Sequence, residues 1–267
     1  MPMKPERVCA VPLARAFRMT NEETMAADSE DIFGRAIRKL ERLAHLDETD
    51  RQAIRALHAR IETHPAHSVL VRDGARVTHC TLLIDGFASG QKDTGDGGRQ
   101  LLSFHLPGDF TDLGHVLLDR SDHAVQTLTP ATVARIAVQD VRQLAEARPR
   151  IGQALWRDTL IDAAITREWV VNVGRRGAMA RIAHLLCEFA TRRQAAGFGP
   201  PERFDLPMTQ EQIGDATGLT SVHVNRKLHD LQQIGVIARE RRDLHIRDWP
   251  RLIRIGDFDP AYLHAAA

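Results

Sequence analysis

TQEQIGDATGLTSVHVNRKLHDLQQIG, from Thr209 to Gly235, is the stretch whose reading decides the fold. It predicts two helices joined by a tight turn. Thr209 is placed to cap a helix from about Gln210 to Ala216, and Gln212, three residues on, completes a capping box. Ile213 faces the core, Gly214 leaves room for a second helix, Gly218 takes a positive φ and Leu219 plugs the turn. Thr220 or Ser221 then caps the second helix, in which Val224, Leu228 and Leu231 recur at inward-facing spacing. Its outward face carries Ser221, Val222, His223, Asn225, Arg226, Lys227 and His229, which are polar, basic or small, as a helix lying in a DNA major groove requires. A helical hairpin with a glycine turn would explain this much. The sequel adds two short strands, Val236–Glu240 and Leu244–Ile246, joined by the basic turn Arg239-Glu240-Arg241-Arg242-Asp243. That makes a winged helix-turn-helix with Arg241 and Arg242 on the wing.

The charge distribution agrees. The net charge is +1, but between Arg175 and Arg254 14 Lys and Arg stand against 9 Asp and Glu, and the remainder holds 22 against 26. The basic excess lies on the segment that would meet phosphate. A chain of 267 residues has room for two domains, and a hydrophobic fraction of 43% supports packed cores. The sequence lacks an apolar run of about 18 residues and an N-terminal signal core, so a cytoplasmic protein with no membrane partner is expected. Cys9, Cys80 and Cys187 lie far apart without a CxxC, which fits a reducing compartment.

Residues 1–30 show no sustained periodicity and are expected to be a mobile extension. Ile32, Phe33, Ile37, Leu40 and Leu43 then form one helix face, and Asp47-Glu48-Thr49-Asp50 caps a second helix carrying Ile54, Leu57 and Ile61 that ends at Pro65. From Ser68 the texture is strand and turn: Ser68–Arg72, Val77–Ile84, Phe87–Gln91, Gln100–His105, Ala124–Leu128 and Thr132–Ala137, separated by Asp-Gly and Pro-Gly signals. Strands so spaced predict a small β-barrel or jelly roll, and a short helix follows from Val138. A long helix runs from about Arg150 to Val173, its apolar positions spread round the circumference as one packing on both the barrel and a partner chain would have them. Asp158 and Asp162 are then edge positions or buried registry devices. Gly174 is expected to be a hinge, and Ala178–Arg192 a further helix. The fold class is α+β, in five parts: the extension 1–30, a sensor domain 31–148, a dimerisation helix 149–173, a DNA-binding domain 174–255 and a tail 256–267 that folds back on it.

Barrel, long helix and C-terminal winged helix, in that order, resemble the Crp/Fnr family of bacterial transcription regulators from about Asp31 to Leu252, most specifically through LPMTQEQIGDATGLTSVHVNRKL. The resemblance implies a homodimer reading a pseudo-palindromic DNA site. Arg226 matches the family's guanine-reading arginine, whose two parallel hydrogen bonds to O6 and N7 are worth about 1–3 kcal/mol of discrimination. Thr209, Gln210 and Thr220 match positions that touch phosphates. Val222 stands where many relatives carry glutamate; it can touch a thymine methyl but cannot accept from cytosine, so a divergent half-site is expected. Asn225 is placed either to read adenine or as a surface residue.

The barrel is similar to a cyclic-nucleotide-binding domain. Aligned on Leu113 and Ala124, after Gly108, the family's phosphate-site glutamate becomes Asp112, its arginine Asp122 and its serine His123, and Arg120 lies two residues out of place. A carboxylate in place of the phosphate's cationic partner reverses the electrostatics, so tight cyclic AMP binding is not expected. With only Cys9 near the N-terminus, an iron–sulfur cluster of the family's type is not expected either, nor is any other cofactor. His79, His105, His115 and His123 lack ligand spacing, and no metal site is predicted. No GxSxG, P-loop or HExxH occurs, and Ser103 beside His105 on one strand face does not make a catalytic pair. The partners implied are double-stranded DNA, a second copy through 149–173, RNA polymerase and an unidentified small-molecule effector. The competing reading is a ligand-, redox- or haem-sensing module whose output is a protein contact.

Overall fold

A computed structural model describes residues 31–264. The extension expected over 1–30, with Cys9, and the last three residues of the tail lie outside the described residues. Helix α1 (Gly34–Leu43) buries Phe33, Ile37 and Leu40, and α2 (Glu48–Arg55) starts from a capping box between Asp47 and Asp50.

Next come seven strands: β1 (Ala59–His64), β2 (Val69–Val71), β3 (His79–Asp85), β4 (Ala88–Asp93), β5 (Arg99–His105), β6 (Ala124–Thr127) and β7 (Ala131–Ala137). They pair antiparallel in two sheets, β1-β7-β3 and β2-β6-β4-β5. Leu70, Val71, Leu83, Ala88, Val125 and Val133 pack together from strands of both sheets. Strand ends lie within one or two residues of expectation, with one exception: Ile61 is not helical. The second helix stops at Arg55, and Ala59–His64 pairs with β7, placing Ile61 opposite Ala134. Ile54, Leu57 and Ile61 satisfy a helical spacing, but Ile61 and Thr63 are β-branched, and the ladder to β7 decides.

Helix α3 (Val138–Ala147) leads to α4 (Pro149–Arg175), whose proline occupies the first turn, where no intrahelical N–H is needed. The chain does not bend at Gly174, where a hinge is expected. Gly174 lies in the last turn of α4, and the chain becomes extended at Arg176 and Gly177. A glycine in a helix costs only about 1 kcal/mol, whereas the corner at Arg176 is tied by Asn172 Nδ2 donating to Arg181 O and Arg181 Nε donating to Arg176 O. Helix α5 (Ala178–Ala195) follows, three residues longer than expected at its C-terminus.

The winged helix comprises β8 (Arg203–Asp205), α6 (Gln210–Thr217), α7 (Ser221–Gln233), β9 (Ile237–Glu240) and β10 (Asp243–Ile246), with wing order β8-β10-β9. β8 and a further helix, α8 (Trp249–Gly256), were not apparent in the sequence. β8 is only three residues long and exists through its pairing with β10, and α8 is capped by Asp248 accepting from Arg251 N at 3.0 Å. The tail does fold back: its 3₁₀ turn Pro260–Leu263 brings the Tyr262 ring against His184 of α5 at 5.9 Å.

The apolar core is continuous from barrel to winged helix. Leu101, Phe104, Leu106 and Leu128 of the barrel join Ile165 and Trp169 of α4 and the buried faces of α5, α6 and α7 in one cluster. Phe104 meets Trp169 edge-on at 5.4 Å between ring centres. Of the expected pair of aspartates Asp158 is fully buried, 2.7 Å from Lys39 of α1, and Asp162 is partly buried.

Candidate nucleic-acid interface

Thr209 and Gln212 form the capping box that starts α6: Gln212 N donates to Thr209 Oγ1 at 3.2 Å and Thr209 N to Gln212 Oε1 at 2.8 Å. Gly218 ends α6 at φ 65°, and its N–H donates to Gly214 O. At Gly214 any side chain would collide with the turn, since a Cβ there would stand 2.3 Å from Leu219 O. Thr220, the true cap of α7, accepts from His223 N at 3.3 Å.

Val224, Leu228 and Leu231 are buried, and this fixes the rotation of α7. Ser221, Val222, Asn225, Arg226 and His229 are exposed, and His223 and Lys227 are half-buried. Val222 is 79% exposed, a valine presented to solvent and left uncovered by the described residues. Arg226 makes no hydrogen bond or ion pair with any described residue. Its neighbours are engaged: Lys227 Nζ lies 2.7 Å from Asp230 Oδ2, and Asn225 Nδ2 donates to Gln210 Oε1 at 3.1 Å. The wing turn consists of Arg241 and Arg242, with Arg241 at φ 55°. Arg239 Nε donates to Arg241 O at 2.9 Å, holding the tip. Gln210, Asn225, His229, Gln232, Arg239 and Arg241 line an open groove of about 290 Å³ between α7 and the wing. The twelve residues expected to meet DNA thus fall on the first turn of α6, the outer face of α7 and the wing tip.

The six residues expected to form the effector pocket are not gathered in one place. Asp112, Leu113, Asp122 and His123 line a cavity of about 270 Å³ between the barrel and α4, but Ala124 is not on its wall, and Gly108 borders a different cavity, beside α1. The cause is the loop Pro107–Asp109, which turns toward α1: Asp109 meets Lys39 at 2.8 Å and Arg192 at 3.2 Å. Asp112 is buried and engaged, its two oxygens accepting from Thr81 N at 2.7 Å and Thr81 Oγ1 at 3.0 Å. Burial pushes its pKa up to about 6. Asp122 pairs with His123 Nδ1 at 2.7 Å, and Arg120 donates to Gly74 O at 2.9 Å. Ser103 Oγ lies 2.9 Å from His105 Nε2, and burial lowers the pKa of His105 to about 3, so the ring is a neutral hydrogen-bonding group. His115 Nδ1 and Thr111 Oγ1, both buried on this wall, have no partner among the described residues. Among the described residues no group of His, Cys, Asp and Glu is placed to hold a metal, and no helix is long and apolar enough to cross a membrane.

Sequence reasoning missed the buried polar chain beneath both sites. Arg192 of α5 donates to Phe104 O and meets Glu188 at 3.5 Å; Glu188 Oε2 accepts from Trp169 Nε1 at 2.9 Å and from the Tyr262 hydroxyl at 2.8 Å. Its only sequence signal was acidic and basic side chains inside apolar helix runs.

Comparison with known proteins matches residues 180–255 to the Crp-like helix-turn-helix domain and residues 61–148 to the cyclic nucleotide-binding domain, more than half of the chain between them. The chain belongs to the Crp/Fnr family. Crp/Fnr proteins are transcriptional regulators, and the helix-turn-helix built here is their DNA-binding element. The chain is 29% identical over 195 residues to the transcriptional activator protein FnrL of Cereibacter sphaeroides, covering 72% of this chain and 78% of that one. It is 32% identical over 143 residues to the nitrogen fixation regulation protein FixK of Bradyrhizobium diazoefficiens, covering 54% and 59%. The solved structure of FixK2 from Bradyrhizobium japonicum shares the fold, with a TM-score of 0.70 at 24% identity over 76% of this chain and all of that one. These Crp/Fnr relatives are regulators, not enzymes.

Proposed function

We propose that the protein is a sequence-specific DNA-binding regulator that acts as a homodimer on a pseudo-palindromic site, with RNA polymerase as a further partner. The observation that carries this reading is the outer face of α7, aimed by its buried residues and presenting an exposed Arg226 that makes no hydrogen bond or ion pair with any described residue. In this reading Arg226 reads guanine, Val222 a thymine methyl, and Thr209, Gln210, Thr220 and the wing arginines contact phosphate. Asn225 reads adenine only by releasing Gln210.

The dimer reading is supported by α4. Trp156, Leu160, Val170 and Val171 are 69%, 52%, 69% and 45% exposed. At 100° per residue these four fall within about 100° of the helix circumference, opposite Asp158, Ile165 and Trp169. These apolar side chains, interrupted by Arg167, fit a second copy better than water. A two-fold dimer would set the recognition helices about 34 Å apart, one turn of DNA.

The barrel cavity is not built for a cyclic nucleotide phosphate. The carboxylates of Asp112 and Asp122 stand at its wall, and Arg120 is turned to a backbone carbonyl. Selection of bound DNA from a random pool tests the regulator reading: an enriched palindrome that is lost with Arg226→Ala supports it, and no enrichment refutes it. Calorimetry with cyclic AMP should give no submicromolar binding.

A further inference from the structure

A second cavity, outside the barrel, lies between α1, the Pro107–Asp109 loop, α4 and the C-terminal end of α5, with a volume of about 190 Å³. Its inner charges are matched. Burial opposes the charge on Lys39, but Asp109, Asp158 and Asp162 outweigh it and raise its pKa; Lys39 and Arg192 in turn hold Asp109 well below the usual carboxylate range. The mouth is different. Arg38 and Arg42 both line it, and Arg38 is exposed and makes no hydrogen bond or ion pair with any described residue. Burial lowers the pKa of Arg42, and although Asp109 opposes this, the like charge of Arg38 adds to it. The two stand one helical turn apart on α1, and Arg42 donates to Ala195 O through one nitrogen, which leaves the rest of its planar fork and the whole of Arg38's to a carboxylate. Arg35, Thr191 and His264 also line the cavity, and an apolar wall is formed by Leu43, Leu106, Pro107, Ile161 and Ile165.

We propose that this cavity binds a small organic acid, its carboxylate held by Arg38 and Arg42 and its apolar body lying against Leu43, Leu106, Ile161 and Ile165. The size is appropriate, because an apolar cavity of about 150 Å³ already accepts benzene, and the extra volume takes a carboxylate. A bare oxyanion would leave the apolar wall wet, and a neutral ligand would leave the guanidiniums crowded. The occupant would touch α1, the barrel loop, α4 and α5 together, the elements whose packing sets where α7 stands. Its use as an effector rests on the regulator reading; its binding does not.

The test is calorimetry on the full chain with benzoate, benzyl alcohol and inorganic phosphate. Benzoate is expected to bind, and the alcohol and phosphate to bind at least about tenfold more weakly, the loss of one charge-assisted contact or of the apolar contact. Arg38→Gln and Arg42→Gln should each weaken benzoate by about tenfold or more. Arg38 is exposed, so its variant should fold as the wild type does, checked by circular dichroism. Arg120→Gln, in the barrel cavity, should leave benzoate binding unchanged. No heat with benzoate up to about 10 mM, affinity unaltered by both mouth variants, or equal weakening by Arg120→Gln would each overturn the proposal.

Discussion

The outer face of α7 and the wall of the barrel cavity are both polar, yet their side chains are used in opposite ways. On α7 most of the polar groups are exposed, and the one best suited to read a base, Arg226, makes no hydrogen bond or ion pair with any described residue. In the cavity the buried Asp112 and His105 are held by Thr81 and Ser103, and even the exposed Asp122 and Arg120 are taken up by His123 and Gly74. The difference lies in solvation. An arginine kept in water costs the fold little and stays available to DNA, whereas a buried carboxylate such as Asp112 is costly without partners within the protein. A surface site can therefore be read from residue identities, while an interior site depends on which neighbours have already claimed its atoms.

The comparison can be broken or sharpened by substitution. The largest effect is expected inside. Lys39→Met leaves Asp158, 1% exposed, without its cation, and should lower stability by about 3 kcal/mol, read by denaturant unfolding. If that loss is absent, the buried carboxylate does not depend on Lys39 and the contrast with α7 fails. Outside, Arg226→Ala should reduce specific DNA affinity about 10- to 100-fold with an unchanged unfolding midpoint. A fall in stability instead would mean the face of α7 is structural. A cap lies between the two regimes: Thr209→Ala removes an acceptor at the start of α6 and should cost about 1 kcal/mol in unfolding.

A pH dependence sharpens the comparison further. Asp162 borders both cavities, and burial together with the neighbouring Asp158 raises its pKa to about 7. The fold thus favours the protonated acid, and this contribution, complete below a pH of about 4, is lost as the pH rises through about 7. Asp162→Asn removes the dependence. The variant should gain stability over wild type at pH 8 and none at pH 4. An equal gain at both pH values would show that packing, not ionisation, governs the site.

Legibility in the sequence followed the range of the interactions. The α6–α7 unit was readable because its signals are local: the Thr209–Gln212 box, Gly214 against Leu219, Gly218 with positive φ, and the Val224–Leu228–Leu231 spacing all act within a few residues. Ile61 misled because its spacing fits a helix as well as a strand, and β7, some seventy residues on, made the choice. Gly174 misled because a glycine does not break a helix whose corner is tied elsewhere.

The sequence by itself determined the order of elements, the rotation of α7 and the loss of cationic residues from the cyclic nucleotide motif, since these follow from period, capping and residue charge. Tertiary structure alone decided that Gly108 turns away from Asp112, that Asp109 joins Lys39 to Arg192, and that a cavity opens beside Arg38 and Arg42. The reason is physical. A buried charge is stable only beside its partner, and partners distant in sequence become neighbours only when α1, the barrel loop, α4 and α5 close on one another.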